Sequence, residues 1–251
     1  MDKEFKYIWE GIYSSFSEAP ADDGVFISGE WLKKQSARIE AMRKDDSSSS
    51  ITSAYALTPI LATMADGINQ VRVLDFGGGL GTEYLSAVGS INKNHSVDFT
   101  IIDNDAICER GRKLFSGDDD IRFSSGMPDV QRSFDVVHAG SSIQYVDDWK
   151  SLLNTFASYA PKYILLSEVV AGDNPSFVTV QQWYGKGILV RFLNMGELQD
   201  FMSEIGYELI LKQSYISKSN GNGEPLPMGN FPEKYQVKYT TNLTFSRIND
   251  K

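Results

Sequence analysis

The run Asp75-Phe76-Gly77-Gly78-Gly79-Leu80-Gly81 holds the residues whose types and spacing most directly imply chemistry. A strand that ends on an acid and turns through glycines at 77, 79 and 81 leaves backbone free of β-carbons at the carboxyl edge of a sheet, where a ligand can approach the main chain. The register of the glycines narrows the ligand. A dinucleotide fingerprint G-x-G-x-x-G begun at Gly77 needs glycine or alanine at position 82, which is Thr82; begun at Gly78, it puts Leu80 and Glu83 where glycines belong. Glu83, in the first turn of the following helix, also repels a pyrophosphate from the place where a helix dipole receives it. The pattern is D-x-G-x-G-x-G, and it suits a cationic sulfonium cofactor with an amino-acid tail. Asp75 holds the ammonium end, directly or through water, and Gly77, Gly78, Gly79 and Gly81 let the loop backbone pack against the tail and the ribose.

A second acid follows at the expected distance. Asp103 ends the next β-branched run, 22 positions after Gly81, close to the spacing of about 20 at which an acid from strand two meets ribose hydroxyls. A carboxylate accepts from two vicinal hydroxyls at once. Asn104 is grouped with it as a cofactor residue, whereas Asp105 reads as the N-cap of the next helix. Further along, His138 through Tyr145 follow a fourth strand. Ser141 falls there with the cofactor residues, and Gln144 and Tyr145 are placed to orient an acceptor. His138 has a near-neutral reference pKa that suits a base, and the competing reading is a satisfied core histidine. Glu168, beyond the fifth strand, is the rival base. Gln181, Gln182, Trp183 and Tyr184 combine amides with aromatic rings, a composition suited to sugar recognition or equally to a protein contact.

The elements that must position these groups alternate. A helix over Ser53–Ala65 closes near Gly67, Val71–Asp75 is a first strand, and a helix starts at Thr82. Phe99–Asp103, Ile121–Phe123, Phe134–His138 and Tyr163–Ser167 are the next strands, with helices over Ala106–Phe115 and Trp149–Tyr159, Trp149 being a core residue. This is βαβ alternation. Met195–Ile205 is then helical, and Tyr207–Ile216 and Asn242–Ser246 are strands joined by the Gly-, Asn- and Pro-rich stretch Ser217–Lys238. Two strands joined without a helix are antiparallel. The fold expected is α/β, a doubly wound, mostly parallel seven-stranded sheet with an antiparallel C-terminal strand. Residues 1–50 precede it as an extension, a cap or a lid, with an amphipathic helix over Trp31–Lys44 and a serine tract at Ser47–Ser50. The main domain is 51–251.

Composition excludes several classes. At 251 residues, 41% hydrophobic and 23% charged, the chain is an ordinary globular protein. A net charge of −9 repels nucleic acid. The single cysteine, Cys108, and two histidines supply neither a disulfide framework nor a recognisable metal site. No apolar run approaches the ~20 residues of a membrane span, and the N-terminus lacks an apolar signal region, so the expected location is the cytoplasm.

The loop, the acid ending strand two and the Phe134-Asp135-Val136-Val137 opening of strand four resemble class I S-adenosylmethionine-dependent methyltransferases, a Rossmann-like fold. More narrowly, Trp9-Glu10-Gly11-Ile12-Tyr13, Val73 through Gly81 and Ser141-Ser142-Ile143-Gln144-Tyr145 resemble a family of bacterial methyltransferases encoded near surface-polysaccharide genes. The resemblance implies S-adenosylmethionine as cofactor and methyl transfer to a small polar acceptor, an O-methylation of a sugar or sugar nucleotide in polysaccharide biosynthesis. N- or carboxyl-methylation of another metabolite and a non-catalytic cofactor-binding protein are the alternatives. Self-association into a homo-oligomer is left open. Class I members often carry an acid after strand three for the adenine amine; this chain has Phe123-Ser124-Ser125-Gly126-Met127, which leaves adenine contacts to Ser125 or Met127. Only an acceptor that starts protonated, such as a hydroxyl, calls for a base.

Overall fold

The structure, a computed structural model, describes residues 7–20, 29–44, 57–65, 67–68, 70–92, 94–183, 186–215 and 225–248. Its elements in chain order are β1 (Trp9–Tyr13), α1 (Gly29–Lys44), α2 (Leu57–Ala65), β2 (Gln70–Phe76), α3 (Thr82–Ser90), β3 (Ser96–Ile102), α4 (Asp105–Leu114), β4 (Ile121–Ser124), β5 (Val136–Gly140), α5 (Trp149–Ser158), β6 (Tyr163–Val169), β7 (Ala171–Gly172), β8 (Phe177–Trp183), β9 (Lys186–Asn194), α6 (Met195–Glu204), β10 (Tyr207–Tyr215) and β11 (Thr240–Arg247). Seven strands form one sheet in the order β10–β11–β6–β5–β2–β3–β4. The neighbours β6, β5, β2, β3 and β4 pair in parallel and β10 with β11 antiparallel, the doubly wound α/β arrangement expected. No helix among the described residues is long and apolar enough to cross a membrane.

Two compact units divide the chain. The first takes its described residues from Phe26–Gly140 and Thr155–Ser167. Its strands are buried on both faces, as a covered parallel sheet requires: Val71, Val73, Phe99, Ile101, Val136 and Leu165 pack on one face with Leu61 of α2 and Ile107 of α4, and the alternate residues Leu74, Ile102, Val137 and Leu166 are buried as well. The sequence periodicity anticipates α3 at its first residue. It misplaces most ends by one to three residues, and two of these bear on the site. Strand β3 stops at Ile102, one residue before Asp103, and β5 starts at Val136 because Asp135 turns its carboxylate to accept from the Arg72 backbone N–H at 2.8 Å.

The second unit takes its described residues from Met1–Val25, Ser141–Asn154 and Glu168–Lys251. It contains a sheet that the sequence reading did not anticipate, in the order β1–β8–β9–β7. The expected N-terminal extension is thus shared out: Trp9–Tyr13 forms the edge strand β1 of this sheet, and Gly29–Lys44 is the helix α1 of the first unit. Strand β1 pairs antiparallel with β8, Trp9 opposite Gln181, with a bulge between Glu10 and Tyr13. Gly11 makes the bulge, at a φ of 82° and with the Tyr13 ring occupying the space a β-carbon would need. The Thr179 hydroxyl donates to the Glu10 carbonyl at 3.0 Å and fixes the register. Beneath the sheet, Phe177 stacks on Phe192 at 4.8 Å, Trp9 meets Phe192 edge-on at 5.7 Å, and Met228 and Phe231 complete the core. The last two come from the described part, 225–239, of the connection between β10 and β11.

Candidate functional site

The glycine loop sits between β2 and α3, as its spacing implies. Gly77, Gly79 and Gly81 have φ of 66°, 57° and 85°, a left-handed geometry that side chains resist, and a β-carbon on Gly78 would run into the carboxylate of Asp75. The loop is tied to the end of β3: the Gly77 N–H donates to the Ile102 carbonyl at 2.8 Å, and the Gly79 N–H to Asp103 Oδ2 at 3.0 Å. Asp103 Oδ1 accepts from the backbone and side-chain nitrogens of Asn104 at 2.8 and 3.1 Å. Burial raises the Asp103 pKa above the ordinary carboxylate value, the N–H groups of Asn104 and Gly79 pull it down, and the negative charge of Asp75 adds to the rise. The cap of α4 is Asn104, whose Oδ1 accepts from the Ile107 N–H at 3.1 Å. This corrects the expected cap: Asp105 is the first helical residue, where its charge faces the helix dipole favourably.

Beneath the loop lies a buried polar chain. Asp75 is 0% exposed, with Oδ1 at 2.8 Å from His138 Nδ1, and His138 Nε2 is 3.0 Å from the hydroxyl of Ser167. The ring is 1% exposed with both nitrogens engaged. Asp75 Oδ2, buried against Gly78, has no hydrogen-bond partner among the described residues. Glycines that open the backbone, a negative carboxylate below them and a half-buried acid at the end of β3 form an environment that fits a cationic, ribose-bearing cofactor. Ser125 is exposed and Met127 half-buried on the connection after β4, whose first turn is closed by the Ser124 hydroxyl donating to the Gly126 carbonyl at 2.8 Å.

In the second unit, Ser141, Gln144, Tyr145, Glu168, Gln181 and Trp183 line one pocket of about 90 Å³. Tyr184 lies outside the described residues. Two of the six are backbone-strained: Ser141 and Glu168 are non-glycine residues at φ of 50° and 53°, a conformation that surrounding structure must enforce and that concentrates at ligand sites. For Glu168 the enforcing group is Asn242 on β11, whose Oδ1 accepts from the Glu168 backbone N–H at 2.8 Å. The Tyr145 hydroxyl donates to Gln181 Oε1 at 3.0 Å, and burial with the charge of Glu168 pushes its phenol up to about 12 against a weaker opposing hydrogen bond from Ser141. Gln144, 3% exposed, donates from Nε2 to the Ser141 hydroxyl at 3.1 Å. Sequence reasoning missed three residues here and below the loop: Trp9, which lines the pocket, Asn242 and Ser167. The aromatic and β-branched content of Trp9–Tyr13 was the available signal for the first.

Comparison with known proteins gives the family. Residues 30–212 match the methyltransferase-domain family. No curated protein matches the chain. Among solved structures, the 1,6-didemethyltoxoflavin-N1-methyltransferase of Burkholderia thailandensis, with bound 1,6-didemethyltoxoflavin and S-adenosylhomocysteine, is 14% identical over 92% of this chain and 95% of its own, at a TM-score of 0.52. An S-adenosylmethionine-dependent methyltransferase from Mesorhizobium loti is 15% identical over 75% of this chain and 96% of its own, at 0.51. One from Clostridium acetobutylicum is 9% identical over 88% and 100%, at 0.54. At such identities the three establish a shared fold, and the extent of the family match carries the assignment: this chain belongs to the methyltransferase-domain family and is an S-adenosylmethionine-dependent enzyme of that class.

Proposed function

We propose that the enzyme O-methylates a small polar acceptor, a sugar or sugar nucleotide, and that the pocket of the second unit receives it. The observation that carries this reading is the convergence of Gln144, Tyr145, Gln181 and Trp183 with a carboxylate, Glu168, on one pocket. Amides and a phenol orient hydroxyls by hydrogen bonds, and an indole face stacks on a sugar ring. Resemblance to a family encoded near surface-polysaccharide genes supports the same acceptor class.

When bound, S-adenosylmethionine supplies an electrophilic methyl group on a sulfonium. We assign the backbone of Gly77, Gly78, Gly79 and Gly81 to its amino-acid tail and ribose, Asp103 with Asn104 to the ribose hydroxyls and Met127 to the adenine. Asp75 acts as a fixed negative charge that shapes the loop and favours a cation. His138, with both nitrogens occupied, positions Asp75. Glu168 is the group we assign to accept the proton of a hydroxyl acceptor, and its strained backbone aims it.

The test is product mass after incubating the full chain with S-adenosylmethionine and separate panels of sugars, sugar nucleotides, amines and carboxylic acids. A single methyl group gained by a sugar hydroxyl is the expected result. Methyl gain confined to amines or carboxylates would replace this acceptor class with N- or carboxyl-methylation.

A further inference from the structure

Two residues that line the pocket of the second unit each carry a buried polar atom with no hydrogen-bond partner among the described residues: the indole Nε1 of Trp9, on a residue 6% exposed, and the amide Oε1 of Gln144. Buried polar atoms are nearly always paired, so two unpaired ones on residues of one pocket call for a common partner. They are of opposite character, since an indole N–H only donates and an amide carbonyl only accepts. The orientation of the Gln144 amide follows from its other end. Its Nε2 faces the Ser141 hydroxyl at 3.1 Å and the Glu168 carbonyl at 3.5 Å, and a flipped amide would set carbonyl against carbonyl.

We propose that the pocket takes a neutral hydroxyl-bearing ligand, with Trp9 Nε1–H donating to a hydroxyl oxygen and Gln144 Oε1 accepting a hydroxyl proton. This deepens the acceptor reading above and rests on it. A hydroxyl both accepts and donates. A carboxylate only accepts, leaving Gln144 Oε1 opposed by a like partial charge and adding its own charge to that of Glu168. An ammonium only donates, so the indole N–H opposes it and offsets its attraction to Glu168. A pocket of about 90 Å³ holds on the order of three water volumes, enough for one edge of a polyol. Trp9 lies on β1, ahead of residues 30–212 matched by the family. Recognition of the acceptor therefore draws on a residue that the family-wide domain does not include.

The full chain has four tryptophans, so an indole ¹⁵N–¹H spectrum isolates the Trp9 signal once Trp9→Phe has identified it. Protein loaded with S-adenosylhomocysteine is titrated with methyl glycosides of the common hexoses, with the corresponding uronic acids and with the amino sugars. The Trp9 signal is expected to move with a neutral glycoside and to respond less to its charged counterparts. Trp9→Phe, which keeps an aromatic ring against Phe192, is expected to weaken that glycoside about three- to tenfold while S-adenosylhomocysteine binds as before. A Trp9 signal unmoved by every neutral glycoside, or moved at least as far by the charged ones, overturns the proposal. Failure of the wild-type protein to bind S-adenosylhomocysteine would instead sink the cofactor assignment on which the acceptor reading stands.

Discussion

His138 Nδ1 stands 2.8 Å from Asp75 Oδ1, with the ring 1% exposed and the carboxylate fully buried. Because Asp75 Oδ2 has no other partner among the described residues, that single contact is what compensates the buried acid. His138→Ala is expected to lower unfolding stability in denaturant by about 3 kcal/mol, the cost of stripping a buried charge of its partner. Cofactor affinity falls with it, while the pH dependence of turnover at saturating cofactor keeps its wild-type shape. A lost limb of the pH profile at unchanged stability would give the ring a proton-transfer role instead.

Asp103 places function and stability in opposition. Burial raises its folded pKa above the ordinary value, so the folded state binds the extra proton in the window from about 3.9 up to the raised value. Stability therefore drops as pH rises through that window and stays reduced above it. Asp103→Asn removes the charge penalty but keeps only one acceptor oxygen, so an amide NH2 faces either the Gly79 N–H or the two Asn104 nitrogens. The variant is expected to bind S-adenosylhomocysteine about tenfold more weakly by calorimetry. Unaltered affinity would take Asp103 out of the cofactor site.

Glu168→Gln tests the proton acceptor. Turnover with a hydroxyl acceptor is expected to fall about 100-fold with cofactor affinity unchanged, and added formate is expected to restore part of it. Wild-type turnover would leave the reaction without a base at this position.

The phenol of Tyr145, raised to about 12 from the usual 10.0, gives a pH signature. The folded state keeps the proton longer than the unfolded one, so the contribution is full below about 10 and declines as pH rises toward about 12. The near-ultraviolet phenolate absorbance of wild type minus Tyr145→Phe is expected to show a step near the upper value. In Glu168→Gln that step moves down, because the carboxylate charge is one cause of the rise. A step at the ordinary value in the wild-type difference would mean that Tyr145 is solvated.

The cofactor loop was legible because its information is local: the glycine register, the acid before it and the start of α3 at Thr82 all lie within a dozen residues. Burial patterns fixed the parallel strands in the same way. The sheet β1–β8–β9–β7 was not legible, since Trp9–Tyr13 acquires its meaning only when it pairs with a strand about 170 residues later. Gln181 and Trp183 were assigned to the acceptor from composition alone, without the strand that carries them. Asp105 shows another limit: which side chain caps a helix depends on rotamers and neighbours that no spacing rule encodes.

The bond from the Thr179 hydroxyl to the Glu10 carbonyl joins positions 169 residues apart, and it has a consequence for biogenesis. During synthesis the aromatic N-terminal strand waits without its partner until Phe177–Trp183 has emerged, a long-range closure of the kind that slows folding. The acceptor pocket is thus a late product of folding, and Gly11, which shapes the waiting strand with a bulge, also makes it a poorer template for pairing with another chain in the interval.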